Sequence, residues 1–368
     1  DIIDYYQIDP SFGTTEDLRE LVQEAHKRGM KIVMDAVFNH TGREFFAFED
    51  IMEKGEKSKY LDWYYIEKFP LESERGEIPN YKCFGYYGGM PKLNLKNPEV
   101  EKFFTDVACY WIKECDIDGW RMDVGDEISH YFWKNFRRAV KAVKKDMLII
   151  GEIWHYAGDF LEGDEWDTVM NYPFYLNLID LLADEKINVS QFIQNLGYLK
   201  GRLNKKCYPL MWNLIDSHDT ARFLHLCDDN KKKQHLAAAF QLLLPGMPMI
   251  YYGDEFAMPG ANDPDCRRGM YWDEEYQDKE MFEWYKQLLK VRKNHACIVE
   301  GEPMELAARD EEETIVLTRK NGEETLALIF NCSSSARMFN EYAQKYDLLR
   351  ENPFDGKIEG LDAAVIVL

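Results

Sequence analysis

The sequence carries no excess of positive charge. Its 45 Lys and Arg stand against 66 Asp and Glu, for a formal net charge of −21. Nucleic acids and anionic membrane surfaces repel such a chain, so neither is expected as a partner. Long hydrophobic runs are missing too: the longest, 242–252, is too short to cross a bilayer and contains Pro245 and Pro248. No signal peptide is visible at Asp1, and the chain reads as beginning in mid-fold. The 8 cysteines include no Cys-x-x-Cys pair, so neither a zinc site nor a disulfide framework is signalled. Free thiols predict a reducing, cytoplasmic setting. Internal repeats and low-complexity tracts are absent, which sets aside solenoids and disordered linkers.

What is present is an ordinary globular balance, with 46% hydrophobic and 30% charged residues over 368 positions, enough for about two domains. After a loop over 1–13, Thr14 and Asp17 make a capping-box start for a helix over 14–28 that Gly29 ends. A buried strand over 31–37 leads into Asn39 and His40. The aromatic, Gly-rich and charged stretch 41–97 is too long for a plain connection and reads as an inserted subdomain. Asn97 and Pro98 open another helix, and Ser129 opens a third. Further strands are expected over 147–150, 168–171, 210–215 and 249–252, and a last long helix over 278–293. From there the texture becomes β-rich: 314–318 and 325–330 form a hairpin through Gly322, and 363–368 is another strand.

The alternation of strands and helices predicts an α/β fold with a parallel sheet. Strand after strand stops at a polar or ionisable group, as in a (β/α)8 TIM barrel, whose active site lies at the strands' C-terminal ends. Six of the eight strands can be counted. The expected domains are therefore a barrel over 1–296, with its inserted subdomain after strand 3 at 41–97, and a C-terminal antiparallel β-sandwich over 297–368.

Everything else is organised around Gly119-Trp-Arg-Met-Asp123. Residues two apart in a strand share a face, so Arg121 and Asp123 project together. A guanidinium beside a carboxylate is expected to lower its pKa, as a covalent nucleophile requires. Glu152 ends another strand two residues before Trp154, an apolar neighbour expected to raise its pKa. Asp219 ends a third. Any one of these carboxylates could cap a helix or anchor a loop, but paired carboxylates in unequal environments are the equipment for glycoside hydrolysis.

With these residues in place the chain resembles the α-amylase family of glycoside hydrolases. Asp35-Ala-Val-Phe-Asn-His40, Gly119-Trp-Arg-Met-Asp123, Gly151-Glu152-Ile-Trp and Ser217-His218-Asp219 match its four motifs in order. Met90-Pro-Lys-Leu-Asn94 resembles a fifth motif, which marks the neopullulanase and cyclomaltodextrinase group. The resemblance implies that Asp123 is the nucleophile, Glu152 the acid/base and Asp219 the transition-state stabiliser. It implies sugar contacts at His40, Arg121, His218 and Trp154, and neighbouring contacts at Glu127, Asp263 and Arg267. The implied substrates are small α-glucans such as cyclomaltodextrins, maltooligosaccharides or pullulan, with transglycosylation alongside hydrolysis and no cofactor. The other reading is a non-catalytic, glucan-binding or transport-associated relative; retention of all three carboxylates weighs against it. A homodimer is the oligomeric expectation for the full-length protein.

Two departures stand out. Gly125-Asp126-Glu127 replaces the group's usual Ala-Asn-Glu. Calcium-dependent α-amylases carry Lys-His at 126–127, and although their ligand Asn39 is kept, no metal is expected here. The family's first two barrel strands precede the Asp4-Tyr5-Tyr6 loop and have no counterpart, so 31–37 and 249–252 are expected to present free edges.

Overall fold

The computed structural model describes residues 2–72 and 79–368; Asp1 of the expected N-terminal loop and 73–78 of the expected insertion lie outside them. The chain divides into two compact units, Asp1–Ile153 with Ala157–Val169, and Trp154–Tyr156 with Met170–Leu368.

The first unit opens with α1 (Thr15–Lys27), where the Thr14 side chain accepts from the Asp17 amide and Asp17 reaches back to Thr14. This reciprocal cap satisfies two amides that a helix start otherwise leaves unbonded. Gly29 follows the helix at φ +72, a left-handed turn that suits a residue without Cβ. Next come β1 (Val33–Ala36), α2 (Phe46–Lys54), α3 (Pro98–Cys115), β2 (Gly119–Met122), α4 (His130–Val143), β3 (Leu148–Gly151) and β4 (Thr168–Val169). The four strands form one parallel sheet in the order β1-β2-β3-β4. Helix α3 buries Val100, Phe104, Val107 and Trp111, and α4 buries Phe132, Phe136 and Val140, at the spacing of one helix face. Between β1 and α3, isolated bridges Tyr64↔Leu93, Ile66↔Tyr81, Cys83↔Pro91 and His40↔Lys92 fold the aromatic insertion back on itself.

The strand expected to be buried over 31–37 is shorter and only partly covered. Within this sheet β1 pairs with β2 alone, and its Asp35 is exposed. An edge strand has one flank without a neighbour to cover it.

The second unit contains α5 (Tyr172–Leu182), α6 (Val189–Arg202), β5 (Trp212–Asn213), α7 (Phe223–Leu226), α8 (Lys231–Leu243), β6 (Met247–Pro248), α9 (Lys279–Asn294) and α10 (Cys297–Glu300). β5 and β6 pair in parallel, and Met170 bridges Trp212 in the same sense. The strand expected over 249–252 lies earlier. Its ladder closes where the Met249 amide donates to the Asn213 carbonyl at 2.8 Å, and the Gln241 side chain, donating at 2.6 Å, then caps the Met249 carbonyl. With that carbonyl taken, the chain leaves the sheet for the tight turn Asp254–Phe256.

Eight further strands complete this unit: β7 (Glu302–Arg309), β8 (Thr314–Asn321), β9 (Glu324–Asn331), β10 (Arg337–Met338), β11 (Tyr346–Asp347), β12 (Asn352–Pro353), β13 (Lys357–Ile358) and β14 (Asp362–Val367). The hairpin is as expected, β8 and β9 meeting at Asn321↔Glu324 around Gly322 at φ +61. Strand β7 has no counterpart in the sequence reading, because an exposed edge strand shows little apolar alternation. The antiparallel sheet runs β12-β11-β14-β9-β8-β7. Its Leu326, Leu328 and Phe330 face the helical core around Phe240 and Leu288, while Ala327 and Ile329 face Phe339, Phe354 and Ile358. The period of two places successive residues on opposite faces. In place of two full sheets, the second layer is a two-stranded ribbon, β10-β13, with its loops.

Candidate active site

Parallel pairing of β1 and β2 sets Asp35 level with Arg121, and pairing of β2 with β3 sets Met122 level with Gly151. Asp123 and Glu152 are therefore the next residues out of two adjacent strands. The Arg121 guanidinium joins them. One terminal nitrogen donates to Asp123 at 2.8 Å and to Asp35 at 2.9 Å, and the other lies 2.8 Å from a Glu152 oxygen. That Glu152 oxygen also accepts the Val124 amide at 2.9 Å. Val124 sits at φ +46, a strained setting for a β-branched residue, and the turn it makes aims that amide.

These contacts change the expected electrostatics. Arg121 does not serve Asp123 alone, and Asp123 is not held low. Burial pushes its carboxyl up to about 6; Arg121 opposes this, while the negative charges of Asp35 and Glu152 add to it. The Trp154 ring stacks on Tyr172, with centroids 3.9 Å apart and planes within 13°.

The other candidates form separate groups. In the first unit, His40 is buried and stacked on Phe84, and burial pushes its imidazole down to about 4, so the ring is neutral at pH 7. Glu127 accepts from Lys92 at 2.7 Å and from Asn39 at 3.2 Å, and the same Lys92 ammonium donates to the Asn39 side-chain oxygen. In the second unit, Asp219 lies 3.2 Å from the His218 ring and 3.2 Å from Arg267, which also pairs with Asp263 at 2.8 Å. The Asp219 amide donates to the Ser217 hydroxyl, and the preceding Asp216, fully buried, accepts the Phe223 amide at 2.7 Å. The loop bearing Asp219 is thus tied at both ends.

The family model of the alpha amylase catalytic domain matches residues 1–277. The chain belongs to the alpha-amylase family. Within it, the chain is 46% identical over 336 residues to a cyclomaltodextrinase of Geobacillus thermopakistaniensis, covering 91% of this chain and 57% of that protein. It is 47% identical over 302 residues to neopullulanase 2 of Thermoactinomyces vulgaris, covering 82% and 51%. A solved cyclomaltodextrinase structure superimposes with a TM-score of 0.93 at 38% identity, covering 99% of this chain and 65% of that one. The chain spans 57% to 61% of the length of the first curated relatives.

For an alpha-amylase family member the calcium question turns on Asn39. Its side-chain oxygen is taken by the Lys92 ammonium, which Glu127 also holds. A cation is already built into the donor set as a side chain, so these residues do not fit calcium. Chelation by EDTA is accordingly expected to leave the melting midpoint unmoved. Lys92→Met, which leaves the side-chain oxygen of the buried Asn39 without its donor, should cost about 1–2 kcal/mol, read by thermal denaturation. A midpoint lowered by EDTA and restored by calcium would contradict this.

Three contributors escaped the sequence reading. Asp35 was legible in principle, since aligning the two strands sets it opposite Arg121. Lys92 stood inside a recognised motif, but its partners come from distant segments. Trp166 carried no signal: it is buried against Gly125 and Gly151, the close neighbours of Asp123 and Glu152.

Proposed function

We propose that this chain catalyses retaining hydrolysis of α-glucosidic bonds in small α-glucans, such as cyclomaltodextrins, maltooligosaccharides and pullulan, with transglycosylation when a sugar replaces water. The observation that carries this reading is the single guanidinium of Arg121 held between Asp123 and Glu152. A pair so linked suits the short separation of about 5–5.5 Å that a retaining mechanism uses, and not the wider gap that admits a water directly. In this reading the Asp123 carboxylate attacks the anomeric carbon while Glu152 protonates the departing oxygen. Water then cleaves the glycosyl-enzyme with Glu152 as base. Asp219, oriented by His218 and Arg267, is the proposed stabiliser of the positive charge that develops on the sugar. His40, Trp154, Glu127 and Asp263 are the proposed sugar contacts.

The same reading takes the parallel strands as members of a (β/α)8 barrel over 1–296, interrupted by the insertion at 41–97 and followed by a C-terminal domain over 297–368. A cytoplasmic setting is favoured by eight free cysteines. Among the described residues no helix is long and apolar enough to cross a membrane.

Incubation with β-cyclodextrin, pullulan and maltotriose, followed by proton NMR, tests the reaction. The first product should be the α-anomer; a β-anomer appearing first would overturn the mechanism.

The pH dependence gives a second check. Because Asp123 must be ionised to attack, the acid limb of kcat/KM is expected near pH 6. The effect on stability has the opposite sense. With the folded pKa raised from 3.8 to about 6, the contribution of this carboxyl is fully present below pH 3.8 and is lost as pH rises through 6. An acid limb near pH 4 would show that Arg121 outweighs burial.

A further inference from the structure

The loop that follows Glu152 leads, in the second unit, into a cavity of about 370 Å³ between Trp154, Tyr156 and the outward faces of α5 and α6. Helix α6 turns Phe192, Leu196 and Leu199 toward the core. The adjacent face carries Asn195, Tyr198 and Arg202, spaced i, i+3, i+7 so that they form one stripe, and with Leu196 and Leu199 it lines the cavity. Helix α5 contributes Leu176 from a face its own core residues do not use.

Three large apolar side chains meet here with unusual exposure: Tyr198 at 66%, Leu176 at 44% and Trp154 at 40%. An exposed apolar cluster rimmed by polar groups marks a binding site more often than a fold requirement. The rings are also pre-set. The Arg202 guanidinium lies 4.0 Å from the Tyr156 ring centroid and 5.3 Å from that of Tyr198. It donates to the Tyr198 hydroxyl at 3.1 Å, while the Tyr156 hydroxyl donates to the Arg202 carbonyl at 2.8 Å. Asn195 uses its amide nitrogen on Asn177 at 2.8 Å, which leaves its side-chain oxygen to accept from a ligand.

We propose that this cavity is a second carbohydrate-binding site, which takes a short α-1,4-glucan on the Tyr156 and Tyr198 rings with Arg202 and Asn195 bonding its hydroxyls. A sugar ring offers an apolar C–H face and a hydroxyl edge, and the site pairs aromatic faces with polar tips in the same order. Rings held by a guanidinium lose little freedom when a ligand arrives, which favours binding. The proposal rests on the α-glucan reading above and shares Trp154 with it, but Tyr156, Asn195, Tyr198 and Arg202 take no part in the proposed chemistry.

Electrophoresis of the whole protein through gels containing soluble starch tests it, with Asp123→Asn as the background so that the glucan is not consumed. Retardation is expected, and Tyr198→Ala should weaken it about fivefold to tenfold. Tyr198→Phe, which keeps the ring, should retain most of it. Tyr198 is exposed, so the Ala variant should melt with its parent, and a matched melting curve excludes a folding defect. In the active background, Tyr198→Ala should raise KM for maltoheptaose while leaving kcat/KM for p-nitrophenyl α-maltoside unchanged. Unaltered retardation by Tyr198→Ala, or equal retardation in a gel of soluble β-1,4-glucan, would overturn the proposal. A protein that binds starch through Tyr198 but hydrolyses no glucan would sink the catalytic reading and leave this site standing.

Discussion

Asp123→Asn is expected to reduce glucan turnover by at least ~10⁴-fold, and to do so on every substrate whatever its leaving group. The reason is that no covalent intermediate can form without that carboxylate. Glu152→Gln should behave differently. On maltooligosaccharides, whose departing oxygen needs a proton, it should lose roughly 10²–10⁴-fold. On α-glucosyl fluoride, which departs unaided, formation of the glycosyl-enzyme should be nearly normal. Both residues touch Arg121, so each substitution also alters the charge around the guanidinium. Asn and Gln keep an oxygen that accepts its hydrogen bonds, which makes them the right replacements. If the two variants respond alike to leaving-group quality, the assignment of nucleophile and acid is wrong.

Gly151→Ala should also lower turnover, by less than Asp123→Asn, without removing any chemical group. A Cβ added there would lie 2.2 Å from Trp166, and one at Gly125 would lie 2.7 Å from the same ring. Trp166 cannot simply step aside. It is 1% exposed, stacked on Phe160 at 4.1 Å and edge-on to Trp133, whose indole nitrogen donates to the Gly125 carbonyl. Forcing an atom into such packing costs typically ~1–3 kcal/mol. Glu152 is the next residue, and a displacement of about 1 Å from productive geometry lowers the rate ~10²-fold. The expected result is a lower melting midpoint together with a lower kcat. Trp166→Leu combined with Gly151→Ala should recover part of both, since the large ring is what the methyl meets. A Gly151→Ala protein with parental kcat and midpoint would show that Trp166 does not position the acid.

The same packing bears on one departure from the family pattern. At Gly125, where the family resemblance implies Ala, a Cβ would lie 2.7 Å from the Trp166 ring. Prediction from the motif alone could notice the change but not its cause.

The sequence by itself determined the chain's family and the order of its candidate carboxylates. Asp123, Glu152 and Asp219 each follow a strand, and that much depends on local patterns: a period of two, a cap, a run of apolar residues. The capping box at Thr14 and the hairpin at Gly322 were legible for the same reason, because their partners are a few residues apart. What depended on distant partners was not legible. Arg121 reads as the companion of its near neighbour Asp123, yet Asp35 and Glu152 share it from adjacent strands. The sign of the Asp123 shift follows from that crowding and from burial, and neither is written in its own segment. Lys92 meets Asn39 and Glu127 only after the aromatic insertion has folded back. Strand β7 and the early end of β6 turned on exposure at an edge and on one side-chain amide from α8. Local hydrogen bonding and periodicity are properties of neighbours along the chain, whereas burial, charge and close packing are set by whatever the fold brings alongside.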